Sequence, residues 1–226
     1  MIERMKVPLF AVAFVACGGG QTTQEAQPPK PLPMVSATTT TTTAPAPKHD
    51  AISDGYFPLV EGARHAYVGT FEGRTYHETI VTHRVEKSPV FYFVEESREH
   101  NPNAIVGTAM PGAGVYEERD GDVYTGPAFY GKEVASARAT SLFLPHAPSK
   151  DQRIAFHTGD HEVTLVVTGN QSVHVPAGDF PDALRMELRA EGRTGEVVLA
   201  RGVGVIRWKR QTGRVDELES VTYPPR

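Results

Sequence analysis

Leu184-Arg185-Met186-Glu187-Leu188-Arg189-Ala190 alternates apolar and polar residues without a fault. Period two places Leu184, Met186 and Leu188 on one side of an extended chain and the charges on the other. The composition would tolerate a helix, but a 3.6-residue period fits the pattern less well. His161–Thr168 (HEVTLVVT) repeats the alternation, with Val163, Leu165 and Val167 on one face. Val90–Val94 (VFYFV) is a continuous apolar run, the mark of a strand covered on both faces. Val197–Ala200 (VVLA) and Val203–Trp208 (VGVIRW) add two more candidate strands.

Between these runs stand turn signals: Glu72-Gly73, Asp120-Gly121, Thr158-Gly159-Asp160, Gly169-Asn170, Glu191-Gly192 and Thr212-Gly213. Short strands joined by Gly, Asn and Asp turns predict an antiparallel meander. No βαβ spacing is visible, which argues against a parallel α/β sheet. The expectation is an all-β domain of about ten strands. It forms a single strongly curved antiparallel meander sheet or incomplete barrel, with at most one short helix at Lys132–Ala139 (KEVASARA). A closed barrel or a two-layer sandwich would give a similar pattern.

The rest of the chain is organised differently. Residues 1–50 hold 7 of the 18 prolines and no Tyr or Trp. Residues 51–226 hold 17 of the 19 aromatics, with 19 Lys+Arg against 24 Asp+Glu. That is one ordinary β-rich globular domain, long enough to bury a core. A net charge of −5 argues against nucleic acid as a partner. The single Cys excludes an internal disulfide framework and any CxxC site.

Residues 1–16 read as a signal peptide. Arg4 and Lys6 precede the ten-residue apolar run VPLFAVAFVA at 7–16. Phe14-Val15-Ala16-Cys17 resembles the lipobox of bacterial lipoproteins, in which the Cys receives a diacylglycerol and becomes the mature N-terminus. Cys17 is therefore the expected lipidation site and the membrane is the expected partner through that lipid. Gly18 follows where Asp would direct retention at the inner membrane, so the resemblance implies the outer membrane. Residues 18–50 contain eight Thr, six of them consecutive at Thr38–Thr43, six Pro and no aromatic residue. Such a segment cannot bury enough apolar surface to offset its ordering entropy. With Cys17 it makes a disordered tether of residues 17–50, which as a flexible coil spans on the order of 30 Å.

Within the β-rich domain, three further motifs carry a family resemblance. Tyr56-Phe57-Pro58-Leu59-Val60-Glu61-Gly62 is similar to the YFPL-x-x-G entry of uncharacterised bacterial envelope lipoproteins. Val175-Pro176-Ala177-Gly178-Asp179-Phe180 resembles their VPAG-x-F turn, and Gly202-Val203-Gly204 their GVG step. Leu199-Ala200-Arg201 departs from the pattern, standing where an aromatic-rich WYAP is usual. The family has no established activity, so the resemblance implies shape and location. Related half-barrel folds include lipid carriers, which makes an amphiphile in the concave side of the sheet one expected ligand class. A protein partner is the other. On the residues themselves, Phe57 and Leu59 are expected to plug the sheet at its entry. Pro176 and Gly178 are expected to build a tight turn, and Gly202 and Gly204 a bulge or sharp bend.

Chemical motifs mostly fail. Gly126–Glu133 matches GxxxxGK, but Glu133 stands where a P-loop needs Ser or Thr. His77-Glu78 and His161-Glu162 begin HExxH-like strings that lack the second His. His157, Asp160 and His161 flank one turn and form the weak metal candidate. No GxSxG or SxxK is present. The expectation is a non-enzyme with no cofactor beyond the acyl groups on Cys17.

Overall fold

The computed structural model describes residues 54–96, 114–127, 138–158 and 161–225. The signal peptide, Cys17, the tether and most of the expected helix at 132–139 lie outside these residues. Twelve strands follow one another. They are β1 (Arg64–Phe71), β2 (Arg74–Arg84), β3 (Phe91–Glu95), β4 (Gly114–Arg119), β5 (Asp122–Pro127) and β6 (Ser141–Leu144). After them come β7 (Arg153–Thr158), β8 (His161–Val175), β9 (Gly178–Ala190), β10 (Arg193–Ala200), β11 (Gly204–Lys209) and β12 (Val215–Thr222). There is no helix among the described residues.

All twelve strands belong to one antiparallel sheet of order β6-β5-β4-β3-β2-β1-β12-β11-β10-β9-β8-β7. The two edges, β6 and β7, share no ladder. Even so, the rings of Phe143 on β6 and Phe156 on β7 meet edge to face at 5.8 Å. The sheet therefore curls until its edges pack through side chains, an incomplete barrel.

Local chemistry sets the hairpins. Glu72-Gly73, Asp120-Gly121 and Glu191-Gly192 each link two strands through two residues, all with φ between 49° and 85°. A type I′ turn needs positive φ at both central residues, and its twist matches that of the flanking strands. Antiparallel succession then sorts the connections between two ends. Turns 72–73 and 191–192 and the loop 210–214 lie at the upper end. The entry segment 54–63, turns 120–121, 176–177 and 201–203, and residues 223–225 lie at the lower end.

The alternation at 184–190 holds. Leu184, Met186 and Leu188 face inward with Val163, Leu165 and Val167 of β8, against which they pair or pack. Ile154, Phe156, Ile80, Phe93 and Tyr116 join the same core. Full burial of each aliphatic or Phe side chain contributes about 1.5–3 kcal/mol.

The structure corrects three details. The described residues form twelve strands rather than about ten. Gly169-Asn170 is not a turn: β8 runs through it, with Gly169 at φ 120° beside a register shift. A glycine at positive φ inside a strand makes a bulge that bends it. Finally, β3 is not apolar-covered along both faces. Phe93 is buried in the main core, while Tyr92 packs on a small separate cluster of Val85, Val90 and Val115.

The bend in β8 and a second register shift near Ser172 redirect the far half of the β8–β9 hairpin. Its tip crosses β10 and β11. The Ala177 amide donates to the Leu218 carbonyl at 2.9 Å, and Arg207 Nη2 donates to the His174 carbonyl at 3.0 Å. Arg207, Val198 and Arg185 are lateral neighbours, on the face opposite Trp208, Val197 and Met186. The tip therefore lies on the outer face, and Val198 on that face is fully buried.

Candidate functional site

The lower end is closed by apolar side chains. Phe57 is 3% exposed and its ring packs against Phe93, Tyr116 and Phe143 at centroid distances of 5.8, 5.0 and 5.1 Å. Leu59 packs against the same core. Both side chains thus pack into the core where the chain enters the sheet. Pro58 and Gly62 shape the entry: Gly62 has φ 77°, and its amide donates to the Thr82 carbonyl. Tyr56 receives a hydrogen bond from Asn170 Nδ2 at 3.0 Å, and the Arg201 guanidinium lies over its ring at 4.2 Å.

The other two motifs also meet at this end. Pro176 and Ala177 form a two-residue link between Val175 and Gly178, which are register partners. Gly178 has φ 134°, and Phe180 packs against the core. Gly202, at φ 70°, is the middle residue of the three-residue turn 201–203, and Gly204, at φ 100°, opens β11. The expected bend is thus a full chain reversal. A Cβ on Gly204 would stand 3.7 Å from both His65 Nε2 and Pro58 Cδ.

Next to this turn the sheet splits. β11 pairs with β12 only at Arg207–Lys209. Beyond that, side chains replace the ladder. His65 Nε2 lies 2.8 Å from the Val203 carbonyl, Tyr67 donates its hydroxyl to the Val205 carbonyl at 2.9 Å, and Tyr223 donates to the Gly202 carbonyl at 2.7 Å. Burial pushes the Tyr67 hydroxyl far above its ordinary range, with Glu78, Asp216 and Tyr223 adding to the effect. Burial also raises the Tyr223 hydroxyl to about 12.

The upper end is built from charge. Glu78 lies opposite the core residue Tyr67, and Asp216 opposite Gly69 and Trp208, so both carboxylates face inward. They are 4% and 2% exposed. Arg210 and Arg214, from the loop joining β11 and β12, bridge them in a ring. Arg210 Nη2 donates to Glu78 Oε1 at 3.0 Å and its Nε to Asp216 Oδ2 at 2.6 Å. Arg214 Nη2 donates to Glu78 Oε2 at 2.7 Å and its Nε to Asp216 Oδ1 at 2.5 Å. The ring is neutral and each carboxylate oxygen has a donor. Burial pushes the Glu78 carboxyl upward against the pull of Arg210 and Arg214. Arg210 also stacks over Trp208 at 4.6 Å, and Arg214 lies 5.5 Å from the Tyr76 ring.

The sequence motifs did not mark this ring. One signal was available: Glu78 and Ile80 share a strand parity, which places a carboxylate on an apolar face. The histidines take different places. His65 is buried under the turn before β11, whereas His77 pairs with Glu219 on the outer face at 3.5 Å. His174 lies 2.8 Å from Asp179 in the hairpin. His157 is exposed and lies opposite Glu162, while His161 lies opposite Thr158. Asp160, His100 and the side chain of His161 are outside the described residues. Among the described residues, no group of three His, Cys, Asp or Glu side chains is placed to hold a metal ion.

A recess of about 100 Å³ opens at the lower end between Asp54, Tyr56, Phe57, Glu118, Leu144 and His146. Pockets that bury a small organic ligand run to about 300–1,000 Å³. The outer face carries ion pairs: Arg185 with Glu196, Arg207 with Glu217 and Arg64 with Glu96. A face of this kind is matched to water, since lipid-facing barrel positions are apolar.

No family model matches the chain, and no curated protein matches it. A crystal structure of a chain provisionally described as a lipoprotein, from Parabacteroides distasonis, is similar at 13% identity. The match covers 75% of this chain and 99% of that one, with a TM-score of 0.38. A likeness of that degree carries no statement about activity.

Proposed function

We propose that this chain is a lipid-anchored protein of the bacterial envelope whose β-domain is a non-enzymatic interaction or scaffolding module. The observation that carries the reading is the state of the concave face. Phe57, Phe93, Tyr116, Phe143 and Phe156 fill it below, and the Glu78–Asp216 ring occupies it above. A carrier needs an apolar chamber that its own side chains leave open. With the inner face filled, the usable surface is the outer one, which is charged and water-facing. The anchor rests on Cys17 and its lipobox-like setting, and the tether lets the domain stand off a membrane. Gly18 supports the outer membrane as its place.

Three measurements test the proposal. The full chain, purified from a bacterial membrane in mild detergent, is examined by native mass spectrometry. A bare protein carrying only its acyl groups is expected. A stoichiometric second amphiphile that survives purification would favour a carrier instead. Photocrosslinking from outer-face positions such as Arg64 and Arg185 in living cells should then capture defined protein adducts. For the anchor, Cys17→Ser should abolish acylation and remove the protein from the membrane pellet. An acylated, membrane-bound variant would overturn it.

A further inference from the structure

Among the described residues, the two ends of the barrel are closed by different chemistry. Below, the plug is aromatic and aliphatic. Above, the loop Arg210-Gln211-Thr212-Gly213-Arg214 contains no apolar residue. It nevertheless bends inward over the sheet. Arg210 and Arg214 reach Glu78 on β2 and Asp216 on β12. Gln211 Nε2 reaches the other way, to the carbonyls of Ala190 and Arg193 at 3.3 Å each. The loop thus spans from β2 to the β9–β10 turn. Two glycines clear its path. A Cβ on Gly69 would stand 2.4 Å from Asp216 Oδ1, and one on Gly195 would stand 2.7 Å from the Lys209 carbonyl.

We propose that the Arg210–Arg214 loop is a latch over the upper end of the barrel, held by the four-charge ring and able to open while the strands stay folded. The physical basis is what opening exchanges. Releasing an apolar plug exposes greasy surface to water, and nothing offsets the loss. When the latch opens, four ions that were taken out of water regain their hydration. That hydration offsets much of the attraction lost between them. The Arg210 and Arg214 side chains are already 16% and 12% exposed, so the clasp borders solvent. The ring breaks without disturbing Leu188, Met186 or Val197, which belong to the apolar core. What opening uncovers is Trp208 and Tyr67, beside two unmatched carboxylates.

The test uses the full chain and its only tryptophan, Trp208. This residue is 8% exposed and lies under Arg210, so the open state uncovers it. Glu78→Gln combined with Asp216→Asn keeps both side-chain shapes and removes both charges. The expected result is at least a threefold rise in the acrylamide quenching constant of Trp208, with an unchanged far-UV spectrum. An unchanged quenching constant in the folded double variant overturns the latch. If that variant does not fold, the native chain decides. Solvent exchange of the Arg210 and Arg214 Nε–H protons is followed by NMR in low urea. Exchange at least tenfold faster than that of the Leu188 amide, and independent of urea, establishes local opening. Exchange that shares the rate and urea dependence of that amide shows that the ring opens only with the whole barrel, and the proposal fails.

Discussion

Tyr67 on β1 donates its hydroxyl hydrogen to the carbonyl of Val205 on β11 at 2.9 Å, although β12 lies between them in the sheet. The bond exists because β11 and β12 part company after Lys209–Val215, Trp208–Asp216 and Arg207–Glu217. The buried carbonyls of Val205 on β11 and of Gly202 and Val203 in the turn before it need donors from outside the ladder. Tyr67, Tyr223 and His65 lie against them. Tyr67→Phe keeps the ring and deletes that donor. It should cost about 1–3 kcal/mol, the usual penalty of an orphaned buried group. The denaturation midpoint should fall with the slope unchanged. A midpoint equal to that of the parent would mean the carbonyl has another partner.

Alkali should find the same hydroxyls. Tyr67, Tyr116 and Tyr223 all ionise above the ordinary tyrosine value, Tyr223 at about 12, because burial disfavours the phenolate. In the unfolded chain they ionise near 10 (a value of about 10 is ordinary). The folded state therefore holds protons that the unfolded state releases. The resulting stability is complete below about pH 10 and is lost as pH rises from about 10 through 12 and beyond. Absorbance at the phenolate band should show Tyr67, Tyr116 and Tyr223 resisting titration until the circular dichroism collapses. Ionisation of these three near the ordinary value in the folded protein would contradict these burials.

Phe57→Ala should be among the costliest single substitutions. The ring is the centre of an aromatic cluster with Phe93, Tyr116 and Phe143. Truncation of a buried Phe leaves a cavity and costs about 3–5 kcal/mol. For a domain of this size each kcal/mol lowers the melting temperature by roughly 2–4 °C. Calorimetry should therefore show a fall on the order of 10 °C. A fall below about 3 °C would show that the entry segment is dispensable to the barrel.

Two glycines separate strain from space. Gly192 sits at φ 72°, and a methyl group placed on it would meet nothing within 4 Å. Gly192→Ala should cost only the left-handed penalty of about 1–2 kcal/mol. A methyl group on Gly126 would lie 1.8 Å from the Arg138 carbonyl oxygen, so the backbone itself must move. Overpacking of that kind costs about 1–3 kcal/mol or more. Urea denaturation should rank Gly126→Ala as the less stable of the two. The reverse order would place the Arg138 segment away from β5.

Much of the architecture was legible in short-range pattern. The alternation at 184–190 placed Leu184, Met186 and Leu188 on the core face, and three Glu-Gly or Asp-Gly pairs marked hairpins through their tolerance of positive φ. The reading failed where a residue's role depends on partners far along the chain. Gly169-Asn170 looks like a turn locally, yet β9 pairs past it on both sides and makes it a bulge. Glu78 reads locally only as half of an incomplete HExxH string. Its partners stand 132 and 136 residues later.

The sequence by itself determined the all-β class, the antiparallel succession and most of the hairpin turns. Each of these follows from backbone preference and period-two burial, which act over a few neighbouring residues. Only the tertiary structure decided that the barrel stays open between β6 and β7, that β11 and β12 separate, and that Glu78, Asp216, Arg210 and Arg214 close into a ring. Those outcomes depend on which distant strands the curled sheet brings within hydrogen-bonding reach of one another, and no local pattern encodes that distance.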